Sequence, residues 1–104
     1  PYPVPQTPIV LTIGAGADTA VNASTAKFFT LILTKNTNLV FSNLLSGMTI
    51  DVILTQNATG GWITTSTGAT IVGTINTTPN IYTWLRCCKV DTITLINVVA
   101  NFTF

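Results

Sequence analysis

The sequence has no histidine and no glutamate, and its charged residues are four Lys/Arg and three Asp among 104 residues. Each absence removes a class of function. Without histidine and glutamate the commonest general bases are missing, and Ser and Thr have no imidazole to activate them. No S-x-x-K motif supplies a lysine in its place. Four scattered cations (Lys27, Lys35, Arg86 and Lys89) make no basic face for displacing phosphate counterions, so nucleic acid is not an expected partner. The only cysteines, Cys87 and Cys88, are adjacent. On a strand their side chains point to opposite faces, so one buried thiol and one at the surface are expected rather than a disulfide. With no histidine and no second cysteine pair, no zinc set can be assembled. Asp18, Asp51 and Asp91 fit no calcium loop and read as solvated acids on turns and an exposed strand face. Neither a cofactor, a metal nor a catalytic residue is therefore expected. No apolar run reaches the ~20 residues of a membrane helix, and the N-terminus resembles no signal peptide, so no membrane partner is expected either.

What the chain does contain is threonine, asparagine and β-branched apolar residues. There are 21 Thr, 9 Asn and 4 Ser, and 47% of the residues are hydrophobic. Branched Cβ atoms favour strands, and the apolar spacing is two rather than 3.6. A lone domain of this size buries only about 60–65% of its unfolded surface. With net charge +1, little electrostatic repulsion keeps copies apart. Self-association is the expected way to add buried surface.

Residues 1–8, PYPVPQTP, carry four prolines and are expected to form an extended arm, suited to lying on a neighbouring subunit. Residues 9–104 are expected to form a single β-sandwich domain. Its expected strands are Ile9–Ile13, Ala20–Ala23, Lys27–Thr34, Leu39–Ser42, Met48–Gln56, Trp62–Thr65, a short piece at Thr70–Val72, Ile81–Cys87 and a closing stretch from Ile93 to Phe104. Met48–Gln56 alternates, with Met48, Ile50, Val52 and Leu54 on one face and Thr49, Asp51, Ile53 and Thr55 on the other. Asn57–Gly61 is the strongest turn, with Trp62–Thr65 expected as the return strand of a hairpin. About eight short strands at spacings near ten residues predict an all-β, antiparallel, jelly-roll-like sandwich.

The large aromatics Trp62, Trp84, Tyr82 and Tyr2 are needed for burial or subunit packing in so small a sandwich, and would alternatively serve as a platform for sugars. Four N-x-[ST] sequons begin at Asn22, Asn57, Asn76 and Asn101. Asn101 falls in an expected strand, which argues against glycosylation there.

The stretch DVILTQNATGGW (Asp51–Trp62) resembles a hairpin recurring in small bacteriophage structural modules, and LVFSNLLSGMTIDVIL (Leu39–Leu54) resembles the strand, short Gly turn and strand before it. A Pro-containing loop at Thr77–Asn80, the strand Ile81–Cys87, the turn Asp91–Thr92 and the terminal strand Ala100–Phe102 extend the resemblance over about residues 27–104. Such modules occur in tail-fibre, head-fibre and capsid-decoration proteins. The resemblance implies a β-sandwich assembled as a trimer, without enzymatic activity. In the absence of a long stalk or anchor domain, it points to a small stand-alone virion protein.

The expected function is thus a non-enzymatic virion structural protein, a capsid decoration, cement or spike-associated subunit that assembles with copies of itself and contacts other capsid proteins. Its candidate contact residues are Tyr2, Val4, Trp62, Tyr82 and Trp84. The alternatives are an extracellular carbohydrate- or receptor-binding module, with a host-surface glycan as ligand, and a filament subunit that donates residues 1–13 as a strand.

Overall fold

The computed structural model describes residues 7–103. Nine strands follow one another: β1 (Ile9–Val10), β2 (Asp18–Asn22), β3 (Phe28–Leu33), β4 (Thr37–Ser42), β5 (Thr49–Gln56), β6 (Thr64–Ser66), β7 (Ala69–Val72), β8 (Tyr82–Val90) and β9 (Ile93–Phe102). The fold is all-β, with no helix among the described residues. Of the arm expected over residues 1–8, only Thr7 and Pro8 lie within the described residues.

The strands form two sheets, one of six in the order β1-β3-β5-β8-β9-β7 and one of three in the order β2-β4-β6. The chain coils between them. Three successive turns, β1–β2, β3–β4 and β5–β6, each give one strand to each sheet and stack in parallel. Ile9 lies opposite Phe29 and Asp18 opposite Asn38, twenty positions on in both cases. The third turn is longer: Phe28 faces Asp51 and Thr37 faces Thr64. β8 then runs antiparallel along β5, β9 antiparallel along β8, and β7 pairs parallel with β9. This is the pattern of a short β-solenoid with one end covered by an antiparallel hairpin.

The topology corrects the expected antiparallel jelly roll, and the described residues form nine strands where about eight were expected. Alternation with period two marks a strand but not the direction of its neighbour. The turns that read as hairpins carry the chain from one sheet to the other. Leu33 before the Lys35–Asn36 turn and Thr37 and Leu39 after it are all buried, so they enter one core from opposite walls. The expected return strand at Trp62–Thr65 is corrected in the same way, since β6 pairs parallel with β4 in the small sheet. The first strand is also shorter than the expected Ile9–Ile13. Leu11 N–H still donates to Thr30 O at 2.7 Å, but no pairing with β3 extends beyond that point.

The core is aliphatic. Phe29, Leu31, Leu33, Ile50, Val52, Leu54, Leu85 and Ile96 project from the large sheet onto Val21 and Leu39 of the small one, and all are essentially inaccessible. Burying such a side chain contributes about 1.5–3 kcal/mol each. Most polar side chains in the core are paired, Thr64 Oγ1 being buried without a partner among the described residues. The Thr37 hydroxyl donates to Ala17 O at 2.8 Å and so accepts from the Thr19 hydroxyl at 2.6 Å. Thr83 Oγ1 donates to Asn101 Oδ1 at 2.7 Å.

Candidate functional site

Alternation that places every second residue of β3, β5 and β8 in the core places the others on the outer face of the large sheet. The ladder register then aligns them across strands. One row runs Val10, Thr30, Ile53, Trp84, Ala100. Beside it lies Ile32, Thr55, Tyr82, Phe102, and on the other side Phe28, Asp51, Arg86, Asn97. Val10 is 73% exposed and Ile32 60%. The Tyr82 and Phe102 rings stack with centroids 5.6 Å apart. The result is an outward sheet face dominated by aliphatic and aromatic side chains.

Its one ion pair is also an anchor for the indole. Asp51 Oδ1 accepts from Trp84 Nε1 at 2.8 Å and from Arg86 Nε at 3.2 Å. The Arg86 guanidinium lies 5.1 Å from the Trp84 ring centroid, a cation–π arrangement. Half-exposed as Arg86 is, the pair contributes no more than about 1 kcal/mol to stability. Its effect is to fix the orientation of Trp84.

Of the candidate contact residues, Tyr82 and Trp84 stand on this face, two positions apart on β8. Trp62 packs against the core from the loop between β5 and β6, where its Nε1 donates to Asn57 Oδ1 at 2.8 Å. Tyr2 and Val4 lie outside the described residues. Val10, Phe28, Ile32, Ile53, Asp51, Arg86 and Phe102 also stand on this face and are not among the candidate contact residues. The period-two pattern of Lys27–Thr34 and Met48–Gln56 carried part of that signal. Which strand lay beside which did not follow from it.

The loop that holds Trp62 is built from Gln56 and Asn57. Buried Gln56 accepts from Trp62 N–H at 3.1 Å and donates to Trp62 O at 2.9 Å. Asn57 Oδ1 also accepts from Thr59 N–H and Gly60 N–H, both at 3.1 Å. Gly60 has φ +67, and a Cβ there would lie 2.6 Å from Pro79 N. This cluster routes the chain from one sheet to the other.

Chemistry-bearing side chains are dispersed. Among the described residues no three His, Cys, Asp or Glu side chains converge on a metal-sized site. Cys87 is fully buried and Cys88 half-buried, and both are free thiols. Burial, with smaller contributions from the charges of Asp51 and Cys88, pushes the Cys87 thiol from 9.0 up to about 12. It is neutral and unreactive at physiological pH.

No family model, no curated protein and no solved structure matches this chain.

Proposed function

We propose that this chain is a non-enzymatic structural subunit of a virion, a capsid decoration, cement or spike-associated protein, and that it assembles with copies of itself as a trimer through the outer face of its six-stranded sheet. The observation that carries this reading is the composition of that face. Val10, Phe28, Ile32, Ile53, Tyr82, Trp84 and Phe102 share one side of a sheet whose opposite side is already the core. A contiguous apolar area of this kind marks an interaction surface, and aromatic anchors flanked by an arginine are the composition that subunit contacts favour. Burial of that face against copies of itself supplies stability that an 11.0 kDa chain gains poorly alone. The resemblance of residues 27–104 to phage structural modules supports the virion setting.

Sedimentation of the purified chain tests the reading. Wild type is expected to sediment as a discrete trimer, and Ile53→Lys, which adds a charge at the centre of the face, is expected to lose that contact while keeping its far-UV spectrum. A folded wild-type monomer at about 100 µM, well above the working range of a specific contact, sinks the proposal.

A further inference from the structure

Successive residues of a strand turn their backbone groups alternately to one side and the other, and at a sheet edge the outward groups need a partner of another kind. β6 is an edge of the small sheet. Ile63 N–H donates to Asn36 Oδ1 at 2.8 Å and Ile63 O accepts from Thr37 N–H at 3.0 Å, so Ile63, and Thr65 after it, turn toward β4. Trp62 and Thr64 therefore turn their N–H and C=O away from β4. The two residues fare differently. The Gln56 carboxamide takes both groups of Trp62, accepting from the N–H at 3.1 Å and donating to the C=O at 2.9 Å. Thr64 is only 7% exposed, yet among the described residues neither its N–H, its C=O nor its hydroxyl has a partner.

Thr64 stands in the wall of a hollow of about 240 Å³ that lies between β6 and the segment from Ile71 to Thr77. The far wall is held in place. Asn101 accepts from Asn76 N–H and donates to Thr74 O, both at 3.0 Å, and Gly61 N–H donates to Thr77 O at 2.7 Å. Ile63, Ile71 and Ile75 give the hollow apolar sides, and no charged side chain among the described residues lines it. We propose that this hollow binds a small neutral molecule carrying a primary carboxamide, which grips the backbone of Thr64 as Gln56 grips that of Trp62. The site uses none of the residues of the aromatic face and goes beyond the assembly proposed above.

The chemistry follows from the groups left open. A carboxamide sets an acceptor and a donor side by side, the complement of the N–H and C=O of one edge residue. Its second N–H is free to give the Thr64 hydroxyl the partner it lacks. Polar groups already withdrawn from water gain most from such a guest, because their desolvation cost is met before it arrives. A charged ligand would lose its hydration here with no counter-charge to replace it. The isoleucines set the rest of the molecule. A cavity of about 150 Å³ holds benzene, so this one takes an aliphatic body and its amide, roughly ten heavy atoms in all.

The test is a titration of the full, nitrogen-15-labelled chain with cyclohexanecarboxamide, followed by amide NMR. The Thr64 amide is expected to move downfield and to saturate with Kd on the order of 1 mM. N,N-dimethylcyclohexanecarboxamide keeps the body but has no N–H, and is expected to bind roughly tenfold more weakly. Cyclohexanecarboxylate is expected not to saturate at all. Ile75→Ala, which removes part of the apolar wall, is expected to weaken the primary amide roughly fivefold. A Thr64 amide that stays in place while other signals move overturns the proposal. So does equal binding of the primary and dimethyl amides, or the absence of saturation by any probe, which would mean a hollow filled by water alone. Each of these results leaves the aromatic face standing.

Discussion

The outward faces of the two sheets differ in how far their side chains satisfy one another. On the small sheet, Asn38 sits at the centre of a polar group. Its Nδ2 donates to Thr67 Oγ1 at 2.9 Å and its Oδ1 accepts from Thr65 Oγ1 at 3.1 Å. At the end of the same face, Asn22 Oδ1 accepts from Asn43 Nδ2 at 2.8 Å. Val40 and, at the edge beside Asn38 and Thr65, Ile63 are the large aliphatic residues exposed on this side. The large sheet instead shows water a field of aliphatic and aromatic side chains around one ion pair. Small amides and hydroxyls that bond each other on the surface leave little for a neighbour to gain, whereas exposed apolar area leaves a great deal. A protein can thus be nearly uncharged on every side and still concentrate its aromatic surface on one.

Substitutions in both sheets probe that contrast, beginning with the segment that joins them. Gly60→Ala meets both a left-handed backbone and Pro79 N at 2.6 Å, and is expected to cost about 2–4 kcal/mol in urea unfolding. A loss under ~0.5 kcal/mol would mean that the crossover does not set how the two sheets are joined. Next, Thr37→Val strands the Thr19 hydroxyl inside the small sheet and is expected to cost about 1–3 kcal/mol. Thr30→Val, on the outer face of the large sheet, is expected to stay within about 0.5 kcal/mol. The Thr19→Val/Thr37→Val pair should cost less than the two single changes together. Equal effects of Thr37→Val and Thr30→Val would erase the distinction between the sheets.

The smallest effect concerns the inner side of β8. The Cys87 thiol is raised in the folded chain, so the unfolded chain loses its proton first as pH rises. Its contribution to stability is fully present below about 9 and is lost progressively towards about 12. Relative to Cys87→Ala, wild type should therefore lose about 1 kcal/mol near pH 10. A difference that stays flat with pH would show that this thiol is open to solvent.

Much of this architecture was legible in the residues. Ile50, Val52 and Leu54 face inward and Asp51, Ile53 and Thr55 outward, as the alternation required, and the absence of helix followed from branched side chains. The pairing partner of each strand was not legible. A twenty-residue coil and a ten-residue meander place the same alternation along the chain, and they differ only in whether a turn reverses within a sheet or crosses between two. The crossing at Asn57–Gly61 is decided by Gln56 gripping the backbone of Trp62 six positions on, a contact no local pattern announces. The aromatic row was half visible for the same reason. Tyr82 and Trp84 stood out as rings, but Ile53 and Val10 joined them only once β1, β3, β5 and β8 were known to be neighbours.

The twenty-residue offset shared by the first two turns makes the coil a ruler. One more turn of that length, spliced between Asn22 and Phe28, would add a strand to each sheet and lengthen the molecule by one strand spacing, about 4.8 Å, leaving the hairpin-covered end as it is. A splice of half that length would leave a wall without its rung. Lengthening by whole turns is therefore the route by which a chain of this build spans a larger gap, one spacing at a time.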